Sequence, residues 1–399
     1  MKKKGLFFLL LLLLLPLFAL SEDAVEITAE ASFRSSPGKK QFAYLTDGSY
    51  QTIWQNNKEG AWLEITTETE AEYLYASFAK KLTLWSAQVW ENDEWRTLPE
   101  PAYRVNNQVI RLGGSTKFRL YSEKGWLAVS ELHIFTAGDL PAWVNQFEPP
   151  LEKADLLVMA THPDDEILWF GGLIPTYSTE LGFSVQVVSM APRYSYRKSE
   201  LLDALWLCGM KNAPIFGPFE DIPFLSKQEV FKSWGGRKKA LQFVTEQYLS
   251  LQPKVVVTQD KKGEYGHGAH MALVQLCIDA VEKAANAEQP WQVQKLYLHL
   301  YGDNPLVMDW SVPLKSFDGE TSLSVAQRAF KKHASQQSGR YDVCDYGDYD
   351  CRVLGLYYSA VGEDEKRTGL FENIPGLEET EAANVRVLDN RNEGEETEQ

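Results

Sequence analysis

The sequence predicts two domains: an all-β sandwich, then an α/β domain with a mostly parallel sheet covered by helices on both faces. Short strands separated by turn residues fill 22–137, with little helical period. From 154 onward, continuous apolar runs alternate with amphipathic helical stretches, which is typical of strands buried on both sides. With 399 residues, 44% of them hydrophobic, the chain is long enough to bury both cores.

The first 21 residues have the build of a secretory signal peptide. Three lysines at 2–4 precede an apolar run from 5 to 20, and Ala19 and Ser21 are small residues at −3 and −1 of a possible cleavage site. An uncleaved membrane anchor is the alternative, although Pro16 interrupts the run and a span usually needs roughly 20 residues. We expect an exported protein, periplasmic or secreted.

The charge balance excludes two classes of partner. The chain carries 55 acidic and 40 basic side chains, for a formal net charge of −15, and has no basic stripe beyond its extreme N-terminus. Nucleic acids and anionic membrane surfaces both need a positive footprint. We therefore expect neither partner, apart from a membrane contact through an uncleaved signal anchor.

The first domain, 22–137, is predicted from runs such as WLEITT, LTLWSAQVW and LAVSELHIF, each bounded by turn residues. Six of the twelve tryptophans lie here. Most should pack in the core or along the strands, and one or two at a loop end could stack on sugar rings. The following segment, 138–153, contains prolines and no sustained period, so it is predicted to be a linker.

Two stretches of this domain carry a resemblance. LTDGSYQTIWQ, with Asp47, Gly48, Thr52 and Trp54, followed by WLEI, resembles the opening of discoidin-type (F5/8 type C, galactose-binding-like) domains. The run FRLYSEKGWLAVSELHIFT is similar to their last strands. The resemblance implies a jelly-roll sandwich whose loops often bind carbohydrate, and it assigns no individual binding residue.

The C-terminal segment, 376–399, is predicted to be a disordered, solvated tail. It contains eight acidic and two basic side chains and few large apolar ones. The α/β domain is accordingly predicted to occupy 154–375.

The four cysteines are expected to differ in state. Cys344 and Cys351 flank a polar segment that could turn back on itself, so in an oxidising compartment we expect a disulfide between them. Cys208 and Cys277 lie in apolar helical patterns and are expected to be buried free thiols.

Two short segments carry the chemistry. The run THPDDE, 161–166, follows the predicted strand DLLVMA, and GEYGHGAH, 263–270, follows the predicted strand KVVVTQ. Together they hold three of the six histidines. In a parallel α/β sheet, ligands bind outside the carboxyl ends of the strands. The two segments therefore mark the predicted active site.

The residue types suit a catalytic metal. Catalytic zinc takes three nitrogen or oxygen ligands and keeps a position for water. His162 and Asp165 are close enough in a strand-to-helix turn to converge on one ion, and His270 projects from a helix start. His267, three residues earlier, can share that direction. Asp164 is then placed as a general base for water that the metal acidifies.

These motifs resemble a known enzyme family. ATHPDDE together with YGHGAH resembles the PIG-L/LmbE family of zinc-dependent N-deacetylases, which act on N-acetylglucosamine-type amides. The resemblance implies a Rossmann-like α/β fold and a zinc ion, although another divalent ion is possible. By this resemblance the metal ligands are His162, Asp165 and His270, the base is Asp164, and the residues that assist at the leaving amine or the tetrahedral intermediate are His267 and Tyr265.

A third stretch extends the resemblance to the substrate side. RYSYRKSELLDALWLCG is similar to the family's Arg-x-x-Glu element, with Leu-Cys-Gly in place of Leu-Gly. Arg197 and Glu200 are thereby predicted to bind substrate. The alternative is an exposed pair at a helix start.

The favoured hypothesis is an exported metal-dependent N-deacetylase whose partner is an N-acetylated amino sugar or glycan. One alternative is a carbohydrate-binding or scaffold protein with a structural or vestigial metal site, in which Glu166 or His267 supplies a fourth ligand. Another is an amide hydrolase on a non-sugar substrate. Outside the motifs, His133 and His299 are predicted to be packed or surface strand residues, without a partner at ligand spacing.

Overall fold

The computed structural model describes residues 22–37, 41–80, 82–222, 226–302 and 305–388. The predicted signal peptide therefore lies outside the described residues. In the described part of the chain, no helix combines the length and apolar character needed to cross a membrane.

The first domain is an antiparallel β-sandwich, as predicted. Its strands in the described residues are β1 (Ser32–Ser35), β2 (Trp54–Asn56), β3 (Ala61–Phe78), β4 (Ser86–Glu91), β5 (Glu94–Thr97), β6 (Asn107–Ser122) and β7 (Leu127–Phe135). The order is β2-β7-β3-β6-β4-β5, with β1 on the first half of β3. The long strands β3 and β6 change register between Thr66 and Tyr73. A register shift of this kind bends the strands and increases their local twist.

The sandwich core explains where its tryptophans lie. Trp54 and Trp85 are buried among the apolar side chains of the core. Trp126 is 42% exposed at the turn before β7, with a positive φ of 67°. Two of the six tryptophans are therefore in the core, Trp62, Trp90 and Trp95 are partly exposed on strands, and one is exposed at a loop end.

The second domain is α/β. Its strands in the described residues are β8 (Leu156–Ala160), β9 (Val185–Ser189), β10 (Ile215–Phe216), β11 (Val255–Thr258), β12 (Lys295–His299), β13 (Leu306–Met308), β14 (Val353–Ser359) and β15 (Val387–Leu388). Its helices are α1 (Asp165–Leu168), α2 (Ser195–Leu207), α3 (Lys227–Ser233), α4 (Arg237–Leu251), α5 (Gly268–Ala285), α6 (Ser322–Phe330) and α7 (Glu378–Ala382).

The sheet order is β10-β9-β8-β11-β12-β14-β13-β15. The strands from β10 to β12 are parallel, and β14, β13 and β15 extend the sheet in antiparallel fashion. The chain passes from β8 outward to β9 and β10, and then crosses to β11 on the other side of β8. The crevice between β8 and β11 is therefore the topological switch point, where open α/β sheets bind their ligands.

Alternate strand residues face opposite helical layers. Leu156 and Val158 pack in a core that includes α2 and α6, whereas Leu157 and Met159 pack in a core with α4 and α5. Because both faces are covered, the strands show continuous apolar runs, which is what made them recognisable in the sequence.

The sandwich docks on α2. Asp203 of α2 accepts hydrogen bonds from Tyr50 Oη at 2.9 Å and from Asn107 Nδ2 at 3.2 Å. Leu202 packs with Val105 beside these bonds. Burial raises the pKa of Asp203 to about 6. The same helix carries Arg197 and Glu200, so one helix connects the sandwich to the predicted active site.

The prediction of a disordered tail from 376 is wrong as far as residue 388. Helix α7 lies in this segment, and β15 pairs with β13 through Val307 and Leu388. Glu381 is fully buried and accepts hydrogen bonds from the backbone N–H groups of Leu370, at 2.6 Å, and Phe371, at 2.7 Å. An acidic side chain that looked solvated in the sequence thus anchors the segment. Residues 389–399 lie outside the described residues.

The predicted disulfide is also not formed, because Cys344 and Cys351 are both free thiols. The Cys351 sulfur packs in the core, where a side chain at Gly171 would collide with it. The Cys344 sulfur faces the carbonyl of Tyr346 at 3.4 Å. Cys208 and Cys277 are buried free thiols, as predicted.

Candidate active site

The two motifs meet at the switch point because the ends of β8 and β11 are tied together. Thr161 follows β8 and Gln259 follows β11. The Thr161 backbone N–H donates to Gln259 Oε1 at 3.1 Å, and the Thr161 hydroxyl donates to the same oxygen. This link brings THPDDE and GEYGHGAH together, although they lie about a hundred residues apart in the sequence.

Three donor atoms form a compact triangle. His162 Nδ1 is 3.0 Å from Asp165 Oδ2 and 3.2 Å from His270 Nε2, and the third side, from His270 Nε2 to Asp165 Oδ2, is 3.4 Å. Ligands about 2.0–2.1 Å from a tetrahedral ion lie about 3.3 Å from one another. The predicted ligand set therefore has the spacing and the donor types that a divalent cation needs.

The charges around the triangle also favour a cation. Burial lowers the pKa of His270, but the carboxylates of Asp165 and Glu264 outweigh burial and raise it to about 10. Burial opposes ionisation of Asp165, yet His270 and His162 hold its pKa well below the usual range. A nearly buried site that stabilises positive charge this strongly is suited to a metal ion.

A second possible ligand set replaces Asp165 with His267. Ligand atoms of His162, His267 and His270 all lie within 4.8 Å of one another. However, His267 Nδ1 accepts the Ala269 backbone N–H at 3.2 Å, so a neutral His267 carries its proton on Nε2. A ligating nitrogen needs a free lone pair. We therefore favour Asp165 as the third ligand and assign His267 to hydrogen-bond donation.

His267 remains neutral near pH 7. Burial, together with the neighbouring His162 and His270, lowers its pKa to about 4. The side chain lines a cavity of about 200 Å³ beside the triangle, which His162, Asp164 and Asp165 also line. A neutral imidazole with a proton on Nε2 can donate a hydrogen bond to an oxygen that gains negative charge.

Asp164 lines the same cavity as His162 and Asp165, and its backbone conformation is strained. Its φ is +133°, a region that residues with a side chain rarely adopt. Its N–H donates to Glu166 Oε2 at 2.9 Å, and Arg197 Nη2 donates to its Oδ1 at 2.7 Å. Burial raises the pKa of Asp164 to about 6, although Arg197 opposes the shift. A carboxylate with this pKa can accept a proton at neutral pH.

Aromatic side chains form one wall of the cavity. Trp169 Nε1 donates to Asp165 Oδ1 at 2.7 Å and so fixes the orientation of that carboxylate. Tyr265 is 43% exposed and stacks on Tyr341, with ring centroids 4.7 Å apart. Burial raises the pKa of Tyr265 above its ordinary value, so its hydroxyl stays protonated. Arg340 and Phe330 also line this cavity.

The two predicted substrate residues have different places. Arg197 lines the cavity and holds Asp164, and it also donates to Pro163 O at 2.7 Å. Glu200 is only 2% exposed, and its carboxylate accepts hydrogen bonds from the N–H and hydroxyl of Ser335, at 2.8 and 2.6 Å. Glu200 therefore supports the 334–336 segment at the edge of the cavity, and a direct contact between Glu200 and substrate does not fit this position.

Glu166, which sequence analysis considered as a fourth ligand, faces elsewhere. Its Oε1 lies 3.1 Å from His333 Nε2, and its Oε2 accepts the Asp164 N–H. The carboxylate is therefore occupied by other partners. This placement weakens the hypothesis of a closed structural site.

Sequence reasoning missed three contributors. Asp221 Oδ1 lies 3.2 Å from His162 Nε2. Glu264 contacts His270, and His299, expected to lack such a partner, contacts Glu264. The position of Glu264 inside the second motif was the signal that could have drawn attention to it. Asp221 is in a loop without a recognisable pattern, and His299 ends an apolar strand.

Comparison with known proteins identifies the family. The chain is 30% identical over 210 residues to a 1D-myo-inositol 2-acetamido-2-deoxy-alpha-D-glucopyranoside deacetylase of Tsukamurella paurometabola, covering 40% of this chain and 70% of the relative. The chain belongs to this deacetylase family. The deacetylase of the same name from Rhodococcus erythropolis is 30% identical over 176 residues, covering 36% of this chain and 59% of that relative. No family model matches the sequence.

Solved structures similar to the chain include a deacetylase and a sugar-binding module. An N,N'-diacetylchitobiose deacetylase from Pyrococcus horikoshii is 20% identical with a TM-score of 0.34, covering 48% of this chain and 74% of that chain. A family 32 CBM from C. perfringens NanJ, in complex with galactose, is 12% identical with a TM-score of 0.25, covering 28% of this chain and 99% of that chain. The strand order and register described above establish the fold of both domains independently of these likenesses.

Proposed function

We propose that this member of the deacetylase family is an exported, metal-dependent enzyme that hydrolyses the acetamide of an N-acetylglucosamine-type sugar or glycoconjugate. The observation that carries the proposal is the convergence of the His162, Asp165 and His270 donor atoms beside Asp164 and His267 at one cavity. The names of the relatives support the substrate class. Export rests on the N-terminal sequence alone.

His162, Asp165 and His270 would hold a divalent ion, for which zinc is our first choice because two nitrogens and one oxygen suit it. Such an ion supplies Lewis acidity that polarises the amide carbonyl and makes a nearby water more acidic. The remaining chemistry belongs to side chains of this chain.

Asp164 acts as the general base. It accepts a proton from the attacking water and passes it to the amine nitrogen as the C–N bond breaks, so that acetate and a free amine result. Arg197 holds Oδ1 of Asp164 at 2.7 Å, which leaves the other carboxylate oxygen for the proton. A pKa of about 6 keeps Asp164 mostly ionised at pH 7 and still basic enough for the task.

His267 and Tyr265 stabilise the reaction's developing charge. The protonated Nε2 of neutral His267 donates to the carbonyl oxygen as it becomes negative, and the protonated hydroxyl of Tyr265 can add a second bond. The stacked rings of Tyr265 and Tyr341 offer a flat apolar surface for a sugar ring at the cavity edge. In this proposal the sandwich positions glycan and supports α2.

The test is a substrate panel with the full chain. Release of primary amine would be measured for N-acetylglucosamine, N,N'-diacetylchitobiose, a glucosaminyl inositol acetamide and an acetyl-lysine peptide. We expect turnover of at least one sugar and none of the peptide, with Asp164→Asn inactive. Turnover of the peptide alone would favour the non-sugar hydrolase. Sugar binding without turnover, in protein loaded with zinc, would favour the binding-protein alternative.

A further inference from the structure

Glu264 lies behind the triangle and contacts one of its members. Its side chain is completely buried, and Oε2 is 2.6 Å from His270 Nδ1. The other oxygen, Oε1, accepts the Asp260 backbone N–H at 2.8 Å and lies 3.2 Å from His299 Nδ1. A single buried carboxylate thus joins the end of β11, the start of α5 and the end of β12.

The backbone at Glu264 is held in an unfavourable conformation. Its φ is +51°, in the left-handed region that costs a residue with a side chain roughly 1 kcal/mol. Burial of a carboxylate is a second cost. Both are offset locally by the hydrogen-bonding groups that surround the carboxylate. Strained residues of this kind concentrate at functional sites, which makes Glu264 a candidate for a role beyond packing.

The contact with Glu264 determines which ring nitrogen of His270 carries a hydrogen. A carboxylate oxygen only accepts, so the 2.6 Å contact requires that His270 Nδ1 carry a hydrogen. In a neutral ring, Nε2 then has its lone pair free, and Nε2 is the atom that faces His162 and Asp165. Glu264 therefore selects the tautomer and the ring orientation that metal ligation needs.

Glu264 is itself held by its neighbours. His299, the last residue of β12, has Nε2 3.1 Å from the Asp350 carbonyl, which only accepts and so requires a hydrogen on that nitrogen. The His299 ring is thereby fixed with Nδ1 toward Glu264 Oε1. Both ring nitrogens of His299 thus face acceptor oxygens. The carboxylate is held from the β12 side by His299 and from the β11 side by the Asp260 N–H.

We propose that Glu264 is a positioning residue which, through His270 Nδ1–H, holds His270 in the tautomer and orientation that bind a divalent cation, with His299 holding Glu264 in turn. The inference rests on the proposed metal-dependent function. Partners of this kind set the basicity and direction of a ligating histidine, and their loss weakens metal binding 10- to 100-fold.

The experiment measures zinc affinity of the metal-free full chain by competition with a chromogenic chelator. For Glu264→Gln we expect a dissociation constant raised 10- to 100-fold relative to wild type, with a smaller rise for His299→Gln. The matched control is Glu381→Gln, which alters an equally buried carboxylate remote from the triangle. Its stability should change while its zinc affinity stays that of wild type.

Glu264→Asp serves as a second variant if Glu264→Gln does not fold. It keeps the charge but shortens the reach to His270, so its affinity should fall between wild type and Glu264→Gln. Cobalt substitution adds a spectroscopic readout, because a displaced His270 would change the visible absorption of the bound ion. Wild-type affinity and an unchanged cobalt spectrum in folded Glu264→Gln or Glu264→Asp would overturn the inference while leaving the proposed function intact. Failure of the wild type to bind zinc or cobalt would overturn both.

Discussion

Two clusters of buried charged groups lie at the sheet of the α/β domain, and they differ in how the buried groups are paired. In the structural cluster, Lys295 pairs with Asp364, Tyr297 Oη donates to Asp364 at 2.7 Å, and Glu381 receives the Tyr177 hydroxyl and two backbone N–H groups. Each of these charges has a matching donor or acceptor.

The cluster at the switch point is arranged otherwise. His270 Nε2, His162 Nδ1 and Asp165 Oδ2 lie 3.0–3.4 Å from one another, and Asp165 Oδ2 also accepts the His162 backbone N–H at 2.7 Å. Among the described residues, His162 Nε2 and Asp221 Oδ1 also lack an aligned hydrogen bond despite their 3.2 Å separation. The comparison teaches that burial alone does not mark a functional site. A compact cluster of nitrogen and carboxylate ligand atoms around one point does.

The largest effect should come from Asp164→Asn. The amide keeps an oxygen for Arg197 but cannot accept a proton, so kcat should fall by roughly 10²–10⁴. Steady-state kinetics on the active sugar would measure the loss, and metal content should remain at the wild-type value. Wild-type kcat in this variant would remove the assigned role of base.

His267→Ala should lower kcat by roughly 10²-fold, because it removes one donor to the negative oxygen. The variant also distinguishes the two possible ligand sets. Zinc affinity should be unchanged if Asp165 is the third ligand, and Asp165→Ala should abolish tight binding. The opposite pattern of affinities would assign His267 to the metal.

The structural cluster should respond in stability and not in metal binding. Glu381→Ala leaves the Tyr177 hydroxyl and two backbone N–H groups buried without their acceptor, at about 1–3 kcal/mol each, so we expect the free energy of unfolding to fall by about 3 kcal/mol or more. Urea unfolding measures this change. Loss of zinc affinity in the folded variant would contradict the independence of the two clusters.

The pH dependence of stability gives a smaller test of the same cluster. Burial raises the pKa of Glu381 to about 7. As pH rises from about 4.5 to 7, the unfolded chain ionises this group before the folded chain does, so the stability due to the protonated form is progressively lost. Relative to Glu381→Gln, the wild type should lose roughly 2–3 kcal/mol over this interval. If the free energies of unfolding of the two proteins changed in parallel with pH, Glu381 would not be the cause of the pH dependence.

Much of the fold could be predicted because strands buried on both faces have continuous apolar sequences. Both chemical motifs directly follow such strands, so the sequence alone puts His162 and His270 at one edge of the sheet. The antiparallel extension was missed, since β13 and β15 are short and pair across about eighty residues. The tail was mispredicted because the burial of Glu381 depends on Tyr177, which is 204 residues away in the sequence, and on the backbone of 370–371, which lies before the predicted tail.

The site was only partly predictable for the same reason. The ligand types and the base are local to two motifs, whereas Asp221 and His299 reach the site through tertiary structure. Glu200 was assigned by its spacing from Arg197, but helix α2 turns its carboxylate toward Ser335. Spacing on a helix gives a direction, and the neighbouring segment decides what a side chain meets there.

The most direct test of the central claim is the metal content of the purified protein beside that of His270→Ala, measured by mass spectrometry with circular dichroism as the check on folding. We expect about one divalent ion per wild-type chain, and loss of that ion from a His270→Ala variant that remains folded. A wild-type protein that takes up no ion even after reconstitution, or a His270→Ala variant that keeps its ion, would contradict it.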